Sequence, residues 1–174
     1  MKRILVCEDE DVIRDFVVIN LKRAGYDVCD VGCGEDALRV FEEEHGNFDI
    51  VLLDIMMPEM DGFDVLAMMN KYHWIDDIPV IMISAENASS YVERAYDLGA
   101  TDYISRPFDM AIVRRRVINT LMLYAKQKRL VRLVAEQVYE KEKSNSTMIN
   151  ILSHIVEFRN GESGLHVLHI RTFT

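Results

Sequence analysis

Five residues with useful chemistry sit just after short apolar runs. Glu8 and Asp9 follow Arg3–Cys7, Asp54 follows Asp49–Leu53, Ser84 follows Pro79–Ile83, and Arg106 follows Thr101–Ser105. Three carboxylates brought to one place repel each other and cannot all stay charged unaided. A hard divalent cation such as Mg²⁺ resolves that repulsion, because it takes oxygen ligands in octahedral geometry and keeps several waters. A hydroxyl and a fixed cation alongside suit phosphoryl transfer, where positioning and charge stabilisation do the work. In such a site a carboxylate can itself be the nucleophile and form an aspartyl phosphate. Each residue also has an ordinary reading. Glu8, Asp9 and Asp54 read as solvated loop acids or helix caps, Ser84 as a loop or capping serine, and Arg106 as a surface cation beside Asp102 or Asp109.

Whether the five can meet depends on the elements between them. Strand-like runs alternate with helix-like patterns: Arg3–Cys7, a helix over Asp11–Ala24 stopped by Gly25, a strand at Asp27–Val31, a helix over Gly34–His45. The pattern continues with a strand at Asp49–Leu53, a helix over Asp61–Tyr72, a strand at Pro79–Ile83, a helix over Ala88–Leu98 closed by Gly99, a strand at Thr101–Ser105, and a last helix from near Asp109. Apolar spacing of three and four marks the helices, as at Val12, Ile13, Phe16, Val17 and Leu21; short continuous runs mark buried strands. Five such units predict an α/β fold, a parallel sheet covered on both faces. Right-handed crossovers then gather the carboxyl ends of the strands, and the five residues, along one rim.

Composition narrows the class. The chain has 174 residues, 49% hydrophobic and 28% charged, with 8 Gly and 3 Pro, which is globular composition. The apolar runs are too short to span a bilayer, and Met1–Val6 leads into an acidic cluster unlike a secretory signal. The three cysteines form no C-x-x-C pair, which suits reduced thiols and predicts a cytoplasmic protein with no membrane partner. There is no G-x-x-x-x-G-K-[ST] loop, and Gly32-x-Gly34 alone is too weak to indicate a dinucleotide fold. The net charge of −9 is uneven: residues 1–109 carry 9 Lys and Arg against 24 Asp and Glu, and residues 110–174 carry 11 against 5. An acidic domain followed by a basic helical extension is the expected organisation, and the acidic part is a poor nucleic-acid surface.

The motifs themselves are specific. Glu8-Asp9-Glu10, Asp54-Ile55-Met56-Met57-Pro58-Glu59-Met60-Asp61-Gly62, Ile83-Ser84-Ala85 and Asp102-Tyr103-Ile104-Ser105-Arg106-Pro107-Phe108 together resemble a response-regulator receiver domain of two-component signalling, over roughly residues 1–125. That resemblance implies a flavodoxin-like doubly wound sheet of strand order 2-1-3-4-5. It implies Asp54 as phosphoacceptor, with Glu8, Asp9, Asp54 and the Met56 backbone carbonyl holding Mg²⁺. It implies Ser84 and Tyr103 as the switch pair, and Ala85 as a small residue leaving phosphodonors a path. A sensor histidine kinase or phosphotransfer protein would be the partner, and the signal would leave through the face formed by the fourth helix, fifth strand and fifth helix. Such a chain is a signalling module rather than an enzyme; its only chemistry is gaining and losing its own phosphoryl group. Two positions depart from the family pattern. Glu8 stands where Asp is usual, and Arg106 where Lys is usual. Arg is planar and bulkier than Lys but can pair with phosphate through two bonds, so a receiver working without phosphorylation is an alternative.

Beyond the receiver, residues 110–147 carry apolar positions at Val117, Leu121, Tyr124, Val131, Val134 and Val138, near heptad spacing. They predict one extended helix, able to form a short coiled coil and a homodimer or to pack back on its own domain. Polar Lys141–Thr147 suggests a break or hinge. Residues 148–174 follow with Met148, Ile149, Ile151, Leu152, Ile155, Val156 and Phe158, then Glu157–Arg171, which resembles the opening of an HD-GYP-type phosphodiesterase domain. That family has a turn near E-[TS]-G, and Glu162 and His166 match positions that bind metal in some members. Two ligands do not make a site, so any output domain, cyclic-dinucleotide hydrolysis included, is expected outside this chain, whose pattern runs on at Phe173-Thr174.

Overall fold

The computed structural model describes residues 1–171 apart from positions 45 and 87, with side chains as far as residue 156. Five parallel strands form one sheet in the order β2-β1-β3-β4-β5, as expected. They are β1 (Arg3–Cys7), β2 (Asp27–Val31), β3 (Ile50–Asp54), β4 (Val80–Ser84) and β5 (Asp102–Ser105). The helices are α1 (Asp11–Arg23), α2 (Gly34–Glu43), α3 (Gly62–Lys71), α4 (Ser89–Asp97) and α5 (Met110–Arg171). A single 3₁₀ turn at Trp74–Asp76, which the apolar pattern does not announce, links α3 to β4.

Alternation along the strands feeds two cores. Leu5, Cys7, Val51, Leu53, Val80 and Met82 face α2, α3 and α4 through Phe41, Phe63, Leu66, Met69 and Ala95. Ile4, Val6, Ile50, Leu52, Ile81 and Ile83 face α1 and α5 through Val17, Leu21, Val113 and Val117. Because both faces are covered, β3 and β4 are buried at every position and read as continuous apolar runs rather than alternating ones.

Three sequence expectations shift. Asp54 and Ser84 do not follow their strands but are the last residues of β3 and β4, one position inside the sheet. In α1 the apolar spacing overstates the buried face: Val12 is 81% exposed and Phe16 half-exposed, and the core takes Val17, Val18 and Leu21. The expected break at Lys141–Thr147 does not form. The stretch stays helical, and Thr147 Oγ1 donates one turn back to the Lys143 carbonyl 3.0 Å away, so its hydroxyl is satisfied inside the helix.

Two compact units emerge, Met1–Lys126 and Gln127–Thr174. In the first, α5 gives Val113, Val117 and Thr120 to the core, and Tyr124 lies 3.4 Å from Thr101 Oγ1 through its hydroxyl. Val117 is therefore a core residue of the sheet and is not free for a coiled-coil seam. In the second, residues 127–156 are exposed throughout. Residues 157–171 continue as helix instead of the turn the phosphodiesterase resemblance implies; Glu162 and His166 lie outside the residues whose side chains are described. Among the described residues no helix is long and apolar enough to cross a membrane.

Candidate functional site

The carboxyl ends of the strands bring all five rim residues together. One oxygen each from Glu8, Asp9 and Asp54 lies within 4.8 Å of the others, from two adjacent strands. Asp54 is 2% exposed and Glu8 4%. Arg106, next after β5, points into this cluster rather than toward Asp102 or Asp109. Its Nη2 contacts Glu8 Oε2 and lies 3.2 Å from Asp54 Oδ1, and its Nη1 lies 3.9 Å from Glu10 Oε1. Asp102 is taken by Arg116 at 2.6 Å. The surface-cation reading of Arg106 therefore gives way to a side chain only 13% exposed.

The electrostatics follow from that crowding. Burial, then the neighbouring Asp54, push the Glu8 carboxyl up to about 7, and Arg106 offsets only part of this. Burial also raises Asp54, while Arg106 and the Met56 amide pull it back. Asp54 Oδ1 is buried and accepts no hydrogen bond. An all-oxygen donor set whose buried Asp54 Oδ1 is faced by Arg106 but accepts no hydrogen bond fits a hard divalent cation.

Local sequence explains the precision. Gly62 opens α3 against the strand end; its amide donates to the Ile55 carbonyl at 3.0 Å, and a Cβ there would sit 2.1 Å from the Asp54 carbonyl oxygen. Only glycine allows that approach. Asp61 caps α3 and shares a reciprocal capping box with Asp64, fixing the loop that carries Met56. The Met56 side chain is exposed, and its amide is the group that reaches Asp54.

Ser84 is fully buried at the end of β4, and its Oγ accepts from the Glu86 amide at 3.0 Å, so it holds the start of the loop that follows the strand. Tyr103 is 7% exposed; its hydroxyl donates to the Glu86 carbonyl and also reaches Ser84. The two switch candidates thus share one loop. Ala85 is exposed at the rim.

Two parts of the site were not read from the sequence. Arg14 Nη1 donates to the Glu8 carbonyl at 2.8 Å while the side chain pairs with Asp11 and Asp30, which ties α1 to the loop bearing Glu8 and Asp9. Its signal was a lone cation inside the apolar stripe of α1. The second part is an open apolar cavity of about 500 Å³ lined by Val12, Ile13, Phe16, Ala85, Pro107 and Phe108 beside Arg106. Val12 and Phe16 looked like core residues and are its walls.

Residues 4–118 match the model of the response regulator receiver domain. The chain belongs to that family. It is 38% identical over 120 residues to a "probable transcriptional regulator ycf27" of Porphyridium aerugineum, covering 69% of this chain and 48% of that one. It is 35% identical over 116 residues to the alkaline phosphatase synthesis transcriptional regulatory protein PhoP of Bacillus subtilis, covering 67% and 47%. The chain thus spans about half the length of the curated relatives it matches. Among solved structures, the response regulator TrrA of Thermotoga maritima, in complex with Mg²⁺ and BeF, is 31% identical with a TM-score of 0.61, covering 69% of this chain and 99% of that one. A CheY-like receiver of Methanospirillum hungatei gives 0.68 at 25% identity, covering 73% and 98%. The family match ends at residue 118, so nothing in it supports the phosphodiesterase resemblance of the C-terminal segment. The relatives carry transcriptional-regulator names, one of them "DNA-binding", whereas the sequence pointed to nucleic acid as an unlikely partner of this chain and disfavoured a DNA-binding output.

Proposed function

We propose that this receiver accepts a phosphoryl group on Asp54 and passes the resulting change through α4, β5 and α5. The observation that supports this most directly is the placement of a buried carboxylate at the end of β3, with Glu8, Asp9 and Arg106 around it. An Asp54 oxygen attacks the phosphorus of the donor; the bond from phosphorus to the donor breaks, and the leaving group departs with its electron pair. Glu8, Asp9, Asp54 and the Met56 carbonyl are the groups that would hold Mg²⁺, which when bound neutralises charge on the transferring group. Arg106 offers a second cation on the same side, with two N–H groups able to bond one phosphoryl group. Its contact with Glu8 must loosen for it to do so.

Ser84 would leave the Glu86 amide to bond a phosphoryl oxygen, and Tyr103, tied to the same loop, would follow it. The sensor kinase or phosphotransfer protein that supplies the group would seat on the apolar cavity walled by Phe16 and Phe108, which opens beside Ala85. The output that receives the signal is a proposal of the same kind, residues 110–147 being the link to it. Intact mass after incubation with a small phosphodonor and Mg²⁺ tests the acceptor. One added phosphoryl group in the parent and none in Asp54→Asn is expected. An equal gain in both proteins overturns Asp54. No gain from donor or kinase would favour the reading in which Arg106 holds the pocket closed and the receiver works without phosphate.

A further inference from the structure

The exposed half of α5 has a stripe that the receiver does not use. Val131, Val134, Val138, Met148, Leu152 and Ile155 are each more than half exposed, and they recur every three and four residues. Lys141 and Asn145 fill the two positions between Val138 and Met148, so the heptad is unbroken from 131 to 155. This is the spacing that a two-stranded coiled-coil seam requires. The break that the polar stretch suggested is instead a polar layer in the middle of an apolar one.

We propose that this seam is covered by the same residues of a second copy of the chain, lying parallel and in register. Charge decides the direction. In a parallel pair each seam side chain of the Lys141 type packs beside the residue that follows its counterpart, so Lys141 meets the partner's Glu142 on both sides. Asn145 then faces the partner's Asn145, the arrangement that fixes register in parallel dimers at some cost in stability. The flanking positions also match: Leu130 lies beside the partner's Ala135, and Ile151 beside the partner's Val156. An antiparallel pair with the apolar layers matched brings Glu142 against the partner's Glu142 and sets Lys128 beside the partner's Val156.

The area suffices. Six seam side chains with their apolar flanks offer roughly 600 Å² per chain, at the lower end of what stable interfaces bury per partner (~600–1,000 Å²). A lipid surface suits the stripe less well. The opposite face mixes signs, with Arg132 and Glu136 3.9 Å apart, and an anionic surface favours a uniformly basic face.

The test uses the whole chain with Cys29 and Cys33 changed to serine, Cys7 being buried. Sedimentation equilibrium should give a dimer, and Val138→Cys should close a disulfide to its own copy under mild oxidation. Val134→Glu should weaken the dimer by roughly 100-fold or more, since a charge is buried without a partner. Asn145→Val should tighten it by at least roughly 10-fold, by removing the polar layer. A chain that stays monomeric overturns the proposal, as does a dimer indifferent to Val134→Glu and Asn145→Val. A disulfide forming only between Val138→Cys and Met148→Cys chains overturns the parallel arrangement.

Discussion

Residues 1–126 and residues 127–156 are built from similar apolar content put to opposite uses. In the first, every side chain of β3 and β4 is buried, and each polar group at their ends has a reason to be there. In the second, Leu, Ile and Val stand in water along one side of a helix. The first unit carries its own reason to fold. The second leaves its hydrophobic surface exposed, so under the proposed pairing its stability would depend on concentration. Burial within one chain and periodicity awaiting another look alike in composition and differ only in spacing.

The sharpest way to break this contrast is a pair of truncations. Phe41→Ala, at a fully buried ring, should cost about 3–5 kcal/mol in denaturant unfolding. Leu152→Ala, at a half-exposed position, should change the unfolding of residues 1–126 by less than about 0.5 kcal/mol while weakening any association. Equal effects on the first unit would remove the distinction.

Within the first unit, Gly62→Ala should cost about 2–3 kcal/mol and lower phosphoryl uptake together, because the new Cβ must displace the Asp54 carbonyl. Loss of stability with normal uptake would show that the loop can move without disturbing the rim. Arg106→Met should destabilise the metal-free protein by about 1–2 kcal/mol at neutral pH, since two buried carboxylates lose their cation. Added Mg²⁺ should recover most of that loss, measured as a shift in melting temperature. A variant that melts like the parent in chelator would show that Arg106 is not the charge that holds the rim together.

The smallest effect is in pH. Burial and Asp54 push the folded Glu8 carboxyl up to about 7, above its ordinary value, so between the two the folded state holds more protons than the unfolded one. Stability of the chelated protein should therefore fall as pH rises from 5 to 7.5, with Glu8→Gln flattening the slope. A slope of opposite sign would mean that Arg106 outweighs burial.

Much of this was legible in the residues. The five strands and the convergence of Glu8, Asp9, Asp54, Ser84 and Arg106 follow from buried runs, glycine stops and the handedness of crossovers, while the order of the strands came with the family resemblance. The orientation of Arg106 was not, because both Asp102 and the rim offered it a carboxylate, and only the Arg116 contact removes one of them. Val12 and Phe16 were misplaced because helical spacing marks an apolar stripe without saying whether a core or a cavity lies under its edge. Gly62 could be seen in the motif, but its reason, a close backbone approach, needs coordinates. Lys141–Thr147 misled for a physical reason as well: polar residues lower helix propensity only slightly, and one seam layer can be polar without ending a helix.

The single tryptophan offers one last consequence. Trp74 stacks on Phe41 at 5.3 Å and on Tyr72 at 5.1 Å, just past the end of α3. The start of α3 abuts the Asp54 backbone, so one helix of ten residues, about 15 Å, separates the indole from the acceptor. Its emission is an optical gauge of the aromatic stack between α2 and the end of α3, at the far end of the sheet from the chemistry. Loss of that signal would report unfolding or rearrangement there, while titrations that alter only the rim should leave it dark to the change.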